Sequence, residues 1–402
     1  MEIFSARGRR EYIWRKRRIP HLLFCGLLLA GWWLFIPTAH ADGGAPNLAY
    51  ISGTPAGVSV IDVMQRRVSR TLAVTGDPHT ILLSFDGKYL YTSQPAQERV
   101  SVLEAASGKA HCSAAIPGKP SLLALSPQGE ALYTAGNGDT QVRALNPMTC
   151  AIEHSFPIAG PVYGLATSLM GGAFPEHIGL YQLWVATTDK LIVLDTDGKQ
   201  LASFALPAGP AYLCIPPGTV AYATTRQGTV VAVDLATRKV TPPLLANGTF
   251  GPMDYNANTG EIYVPDMQHH QVQVLSPLTP GTTNPKGKIS RTISLDGIPT
   301  TVAITNDGQL GFIALEDGRV VMLDIPGRQI VTTIRVEGQP HFIITGLYPP
   351  TPAASPPVQQ PVGPTRPAWQ TGLLIVFLIA FFLALLGLVI ILVRWWRSKQ
   401  KA

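Results

Sequence analysis

The chain has 402 residues, 46% of them hydrophobic and 14% charged, with 31 Lys and Arg against 25 Asp and Glu. Seven basic and two acidic side chains fall in residues 1–41 and four basic ones in residues 394–402, so the stretch between carries 20 against 23, a net charge of −3. The overall pI of 9.1 therefore belongs to the two ends, and the mildly acidic body has no electrostatic footprint for nucleic acid.

Arg7, Arg9, Arg10, Arg15, Lys16, Arg17 and Arg18 precede an apolar run from Leu22 to Ile36, which Pro37 and Ala39-His40-Ala41 close. This three-part order is that of a secretory signal peptide over residues 1–41, with cleavage after Ala41. The alternative is an uncleaved N-terminal anchor, against which the run is short of the ~20 residues of a span. Cys25 precedes its long apolar stretch, which argues against a lipoprotein, and Arg9-Arg10 lacks the rest of a twin-arginine signal.

Over residues 42–346 one four-part unit recurs. The first copy lacks its opening part and runs LAYIS (48), VSVID (58), RTLAVTG (70). The second is complete: GDPHTILLS (76) is a Gly-x-Pro turn before a short apolar run, SFDGK (84) a turn whose Gly87 supplies positive φ, and YLYTS (89) and VSVLE (100) follow. The opening part returns as GKPSLLALS (118), GPVYGLATS (160), GPAYLCIPP (209), GPMDYNA (251), GIPTTVAIT (297) and GQPHFIITG (338), with glycines 42, 42, 49, 42, 46 and 41 residues apart. Second parts recur as ALYTA (131), LWVAT (183), AYATT (221), IYVPD (262) and GFIAL (311), and third parts as VRALN (142), LIVLD (191), VVAVD (230), VQVLS (272) and VVMLD (320). Fourth parts such as TISLDG (292) and TIRVEG (333) lead to the next glycine.

Four short strands per unit of ~40 residues, with no helical periodicity, make a propeller blade. The phase decides closure. The first unit has no inner strand and HFIITG (341) is an inner strand without a unit, so together they form one blade and tie a ring of seven shut. The expected fold is an all-β, seven-bladed β-propeller with this Velcro closure, followed by one C-terminal transmembrane helix.

Cys112, Cys150 and Cys214 remain after the signal, an odd number. Cys214, in AYLCI, reads as core. A Cys112–Cys150 disulfide is open, but both cysteines read as outer-strand residues of successive blades, which leaves their reach in doubt.

Residues 347–370 hold PPTPAASPPVQQPVGPTRPA, a proline density that favours extended polyproline II and a semi-rigid stalk of up to ~60 Å. Residues 371–393 follow as a transmembrane helix: Gly372 to Val393 carries no charge and reaches ~33 Å as a helix. Trp369 on one side and Arg394, Trp395, Trp396 and Arg397 on the other are the membrane-flanking residues. The basic tail 394–402 puts the C-terminus in the cytoplasm and the propeller outside, a single-pass protein of the cell membrane.

VSVID, the Gly-x-Pro turns, the S-x-D-G turns and the tyrosine-bearing second strands resemble the bacterial YVTN β-propeller repeat family over about residues 47–346. Two departures stand out: the asparagine after the second strand is mostly replaced, and MGGAFPEHIGLYQ (170) is inserted into one unit. The resemblance implies an extracytoplasmic or surface propeller, and it implies location more strongly than chemistry.

In this strand order the fourth-to-first and second-to-third loops gather at one mouth of the central channel. His79 and His341, each after a Gly-x-Pro turn on adjacent blades, fall there, as do Asp266, His269 and His270 of DMQHH. Two readings of this candidate site stand: a metal held at the channel mouth, or imidazoles that fill a recurrent turn and bond to neighbouring carbonyls. No motif calls for a cofactor. DTDGK (195) starts like a calcium loop, lacks its later acids and reads as a turn, and Asn247-Gly248-Thr249 is a glycosylation sequon. G-x-S-x-G, H-E-x-x-H, phosphate-loop and dinucleotide fingerprints are absent from the sequence.

The leading functional reading is a membrane-anchored binding or scaffold module for an extracytoplasmic protein, glycan or envelope ligand, with catalysis left undecided. The alternatives are a propeller enzyme, lactonase-like or a quinone- or metal-dependent oxidoreductase, and a surface sensor whose short tail would need a membrane partner.

Overall fold

The computed structural model describes residues 48–346 except 170–180, 236 and 283–285. The expected signal peptide, stalk, span and tail, with Trp369, Arg394, Trp395, Trp396 and Arg397, lie outside the described residues. Among the described residues no helix is long and apolar enough to cross a membrane.

Seven antiparallel sheets, each with an inner-to-outer path of four strands, make up this part of the chain. The first blade is the composite one. Its inner strand is Ile343–Thr345, followed outward by Leu48–Thr54, Gly57–Asp62 and Arg67–Ala73. Ala49 pairs with Thr345 and Ile51 with Ile343, so the last strand supplies the hydrogen bonds that the first unit lacks.

The core lies between blades. Seven apolar clusters each join two neighbours: Tyr50 and Ile81 between blades 1 and 2, Tyr91 and Leu132 between 2 and 3, and so on around to Ile343 and Phe312 between blades 1 and 7. Middle strands are therefore covered on both faces. Gly57–Asp62 is buried along almost its whole length, whereas the outer Arg67–Ala73 buries only Leu72. This explains why third strands read as apolar runs and fourth strands do not.

The S-x-D-G turns have a local cause. Ser84 Oγ donates to Asp86 Oδ1 (2.7 Å), which also takes the Lys88 N–H (3.1 Å), while Gly87 turns the chain at φ +67°. Thr305, Asp307 and Gly308 repeat the device in blade 7.

Blade 5 departs from the pattern. Its outer edge is broken into Lys239–Val240 and Leu245–Ala246, both paired with Thr229–Asp234. Pro242 and Pro243 lie between them and have no N–H for a ladder.

The disulfide doubt is resolved: Cys112 and Cys150 are bonded, with Cα atoms 5.8 Å apart. The expectation erred in placing Cys150 on an outer strand. It sits in the turn before Ile152–Pro157 at φ +59°, buried among Tyr91, Val100 and Val102 of blade 2. From there it reaches Cys112 on that blade's outer strand. Cys214 is free and buried, as read.

Outer-to-inner and second-to-third connections share one face, as the bond from His79 N to Ser93 O (2.9 Å) shows. Both described ends meet on the other face, where Gly346 N donates to Leu48 O (3.1 Å).

Candidate functional site at the channel mouth

In blades 1, 2, 4 and 6 a residue at the rim bonds its N–H back to the second strand. In blades 1 and 2 these are His341, to Ser52 O (3.0 Å), and His79. Tyr163 in blade 4 bonds to Ala186 O (2.8 Å) and Gly251 in blade 6 to Pro265 O (3.1 Å). The two histidines thus occupy equivalent positions on neighbouring blades, and their rings stack with centroids 5.1 Å apart and planes 18° from parallel.

The pair is held from both sides. His341 Nε2 lies 3.2 Å from Asp77 Oδ1, and the fully buried Ser52 bridges the blades by donating to the His79 carbonyl. Burial, and then the neighbouring His341 ring, push the His79 pKa below the ordinary imidazole value. Asp77 and a hydrogen bond involving the Ser121 backbone act in the opposite sense. His79 is accordingly neutral at pH 7, the form that ligates a metal or exchanges hydrogen bonds.

His79 and His341 line a 280 Å³ cavity at the mouth with Tyr212, Met253, Met267 and at least one residue from every blade. A second cavity of 300 Å³ shares His79, Leu122, Tyr212 and Met267 and extends over blades 3 to 6, past Asn137, Tyr163, Arg226 and Thr249. Together they form one cleft across the mouth. Each of the two cavities by itself is at the small end of ligand pockets.

Asp266, His269 and His270 do not join this cleft. Asp266 is the end of the strand Ile262–Asp266 and fully buried. Its carboxylate accepts from Gln271 (3.1 Å) and Gln273 (3.0 Å) and lies 2.8 Å from His269 Nδ1, so it organises its own loop. His270 is exposed at φ +52°. The loop's contribution to the mouth is Met267, whose N–H is fixed on Thr249 O (2.8 Å). Gly251 at the rim lies close against blade 7, where a Cβ would fall 2.4 Å from the Thr300 carbonyl oxygen. Among the described residues no three His, Cys, Asp or Glu side chains converge as metal ligands. DTDGK is a turn, Asp195 accepting from the Asp197 and Lys199 N–H groups.

Tyr163, Tyr212, Met267 and Arg226 were not singled out from the sequence. A signal for two of them exists in the repeated G-P-x-Y at 160 and 209. The two tyrosines nevertheless differ in place. Tyr163 stands at the rim beside the paired Gly164 and Ala186, while an irregularity between Pro210 and Leu213 sets Tyr212 one residue further in.

No protein-family model matches the chain, and no curated protein matches it in sequence. Solved structures do. Kuenenia stuttgartiensis hydrazine synthase superposes with a TM-score of 0.57 at 18% identity over 66% of this chain and 88% of that one. The β-propeller domain of Cps50 (Swd1) from Myceliophteria thermophila gives 0.56 at 13% identity over the same shares. Dihydro-heme d1 dehydrogenase NirN in complex with DHE gives 0.54 at 15% identity over 76% of each chain. Such identities establish the propeller fold and nothing finer.

Proposed function

We propose that this protein is an exported, membrane-anchored propeller, akin to the YVTN-repeat proteins, whose channel mouth binds an extracytoplasmic protein, glycan or envelope component. The observation that supports binding most is the cleft itself. It carries aromatic, thioether, imidazole and guanidinium groups and lies on the face opposite the one where both described ends leave, so those ends leave the mouth clear. Export is supported by the Cys112–Cys150 disulfide, a bond that persists in oxidising compartments. The charge-free run 372–393 supports the anchor.

The reading is tested by retention of the full-length protein on envelope material from its host. Retention weakened at least tenfold by Tyr212→Ala with Met267→Ala supports it, and retention indifferent to both sinks it. Intact mass supports export if the mature chain begins at Asp42.

A second reading, an enzyme with a metal at the mouth, is favoured by one observation: His79 is a neutral imidazole stacked on a second imidazole that a carboxylate backs. Elemental analysis of the full-length protein and of His79→Ala/His341→Ala separates the two. A stoichiometric metal that the double variant loses favours the enzyme.

A further inference from the structure

The half of the cleft over blades 3 to 6 is built differently from the His pair. The Arg226 guanidinium lies 4.1 Å from the centroid of the Tyr163 ring, and Nη2 donates to the Thr188 carbonyl (2.8 Å). A Cβ on Gly209, at φ +72°, would fall 2.7 Å from Nη2 and 2.8 Å from Nε, so the glycine is what lets the guanidinium lie flat against the turn. On the same face Arg143 pairs with Asp139, and Arg319 with Asp296 and Asp317. Among the described residues no carboxylate pairs with Arg226. The Tyr212 hydroxyl, the Asn137 amide and the Thr249 hydroxyl also line this cavity without an internal side-chain hydrogen bond among those residues.

We propose that this half of the cleft is a subsite for a carboxylate-bearing sugar, its carboxylate on Arg226 and its hydroxyls on Tyr212, Asn137 and Thr249. The proposal rests on the binding reading above. A guanidinium already fixed in one plane suits bidentate pairing with a carboxylate, and its ordering entropy is largely lost before the ligand arrives. One cation among several neutral hydrogen-bonding groups fits a ligand with one charge and many hydroxyls better than a phosphate, which carries more charge.

Full-length protein in nanodiscs is titrated calorimetrically with disaccharides ending in glucuronate, galacturonate or mannuronate, with a glucose-terminated counterpart and with inorganic phosphate. At least one acidic disaccharide is expected to bind saturably and at least tenfold more tightly than the neutral sugar or phosphate. Arg226→Gln is expected to bring the acidic-disaccharide affinity down to that of the neutral sugar. No saturable acidic-sugar binding, equal affinity for the neutral sugar or phosphate, or an unaltered Arg226→Gln profile overturns the subsite. Envelope retention then separates the two ideas. If Tyr212→Ala with Met267→Ala weakens retention and Arg226→Gln does not, the acidic-sugar subsite falls alone; if no mouth variant matters, the binding reading falls with it.

Discussion

Two titratable groups at the channel show how position sets chemistry at the scale of single residues. His79 has its pKa lowered by burial and by the adjacent His341 ring. Its stabilising contribution is present above the unfolded value of about 6.5 and is lost as pH falls through the lower folded value. The His79 ring resonances are therefore expected to titrate below 6.5, and to move upward in His341→Ala, where one lowering influence is gone. A midpoint that stays put in that variant would show that the rings do not interact.

Asp254 runs the other way. It starts the short inner strand of blade 6, and its carboxylate accepts from Tyr255 N (2.8 Å) and from Ile304 N of blade 7 (2.7 Å). Burial nevertheless dominates and raises its pKa from 3.8 to about 6, the two N–H groups only partly offsetting it. A raised carboxyl pKa means stability that is full below pH 3.8 and is lost as pH rises through 6. Asp254→Asn, which keeps an acceptor for Ile304, is expected to flatten the pH dependence of the melting temperature between pH 4.5 and 7.5. It should stabilise the protein at pH 7.5 by on the order of 2 kcal/mol, given the group's partial access to channel water.

At the scale of elements, the disulfide joins an outer strand of blade 2 to a hairpin turn of blade 3. It closes a loop with a sequence separation of 38 and backs an interface that already packs Tyr91 against Leu132. The double variant Cys112→Ser/Cys150→Ser is expected to lose about 2–4 kcal/mol in urea unfolding, and dithiothreitol should shift the wild type by the same amount. Because Cys214 is fully buried and its thiol pKa is raised well above the usual value by burial, it should stay unreactive toward alkylation in the folded protein. Alkylation of Cys214 in the reduced native state would contradict the packing.

For the whole molecule, stability depends on closing the ring. Each of the seven apolar clusters needs two blades, and the last requires the strand Ile343–Thr345 against Leu48–Thr54. Ending the chain after Gly346 is expected to leave a cooperative unfolding transition, whereas ending it after Pro340 should expose the inner edge of blade 1 and the face around Ile343. The shorter chain should then bind a hydrophobic dye and aggregate at moderate temperature. Cooperative folding of the shorter chain, with dye binding equal to the longer one, would show that the composite blade is dispensable.

Blade number, strand order and closure were legible in the sequence by itself, because each rests on local physics repeated along the chain. Gly87 and Gly308 turn where only a left-handed residue serves, and strands covered on both sides by neighbouring blades read as unbroken apolar runs. The histidine pair was legible as well, since equal distance from a Gly-x-Pro turn puts His341 and His79 at equal positions on the rim. What only the tertiary structure decided depends on single-residue register and on neighbours far apart in the chain. Cys150 reaches blade 2 because its turn lies inside the hairpin, Asp266 points into its own loop, and Met267 takes the space at the mouth. Tyr163 and Tyr212, identical in motif, diverge because blade 5 carries an irregularity between Pro210 and Leu213 that blade 4 lacks, beside an approach so close that a Cβ on Gly164 would sit 1.9 Å from the Ala211 carbonyl. No spacing in the sequence carries that irregularity or that approach, because both come from packing between blades, and only the folded chain brings Tyr212 and Arg226 into the same cleft as His79.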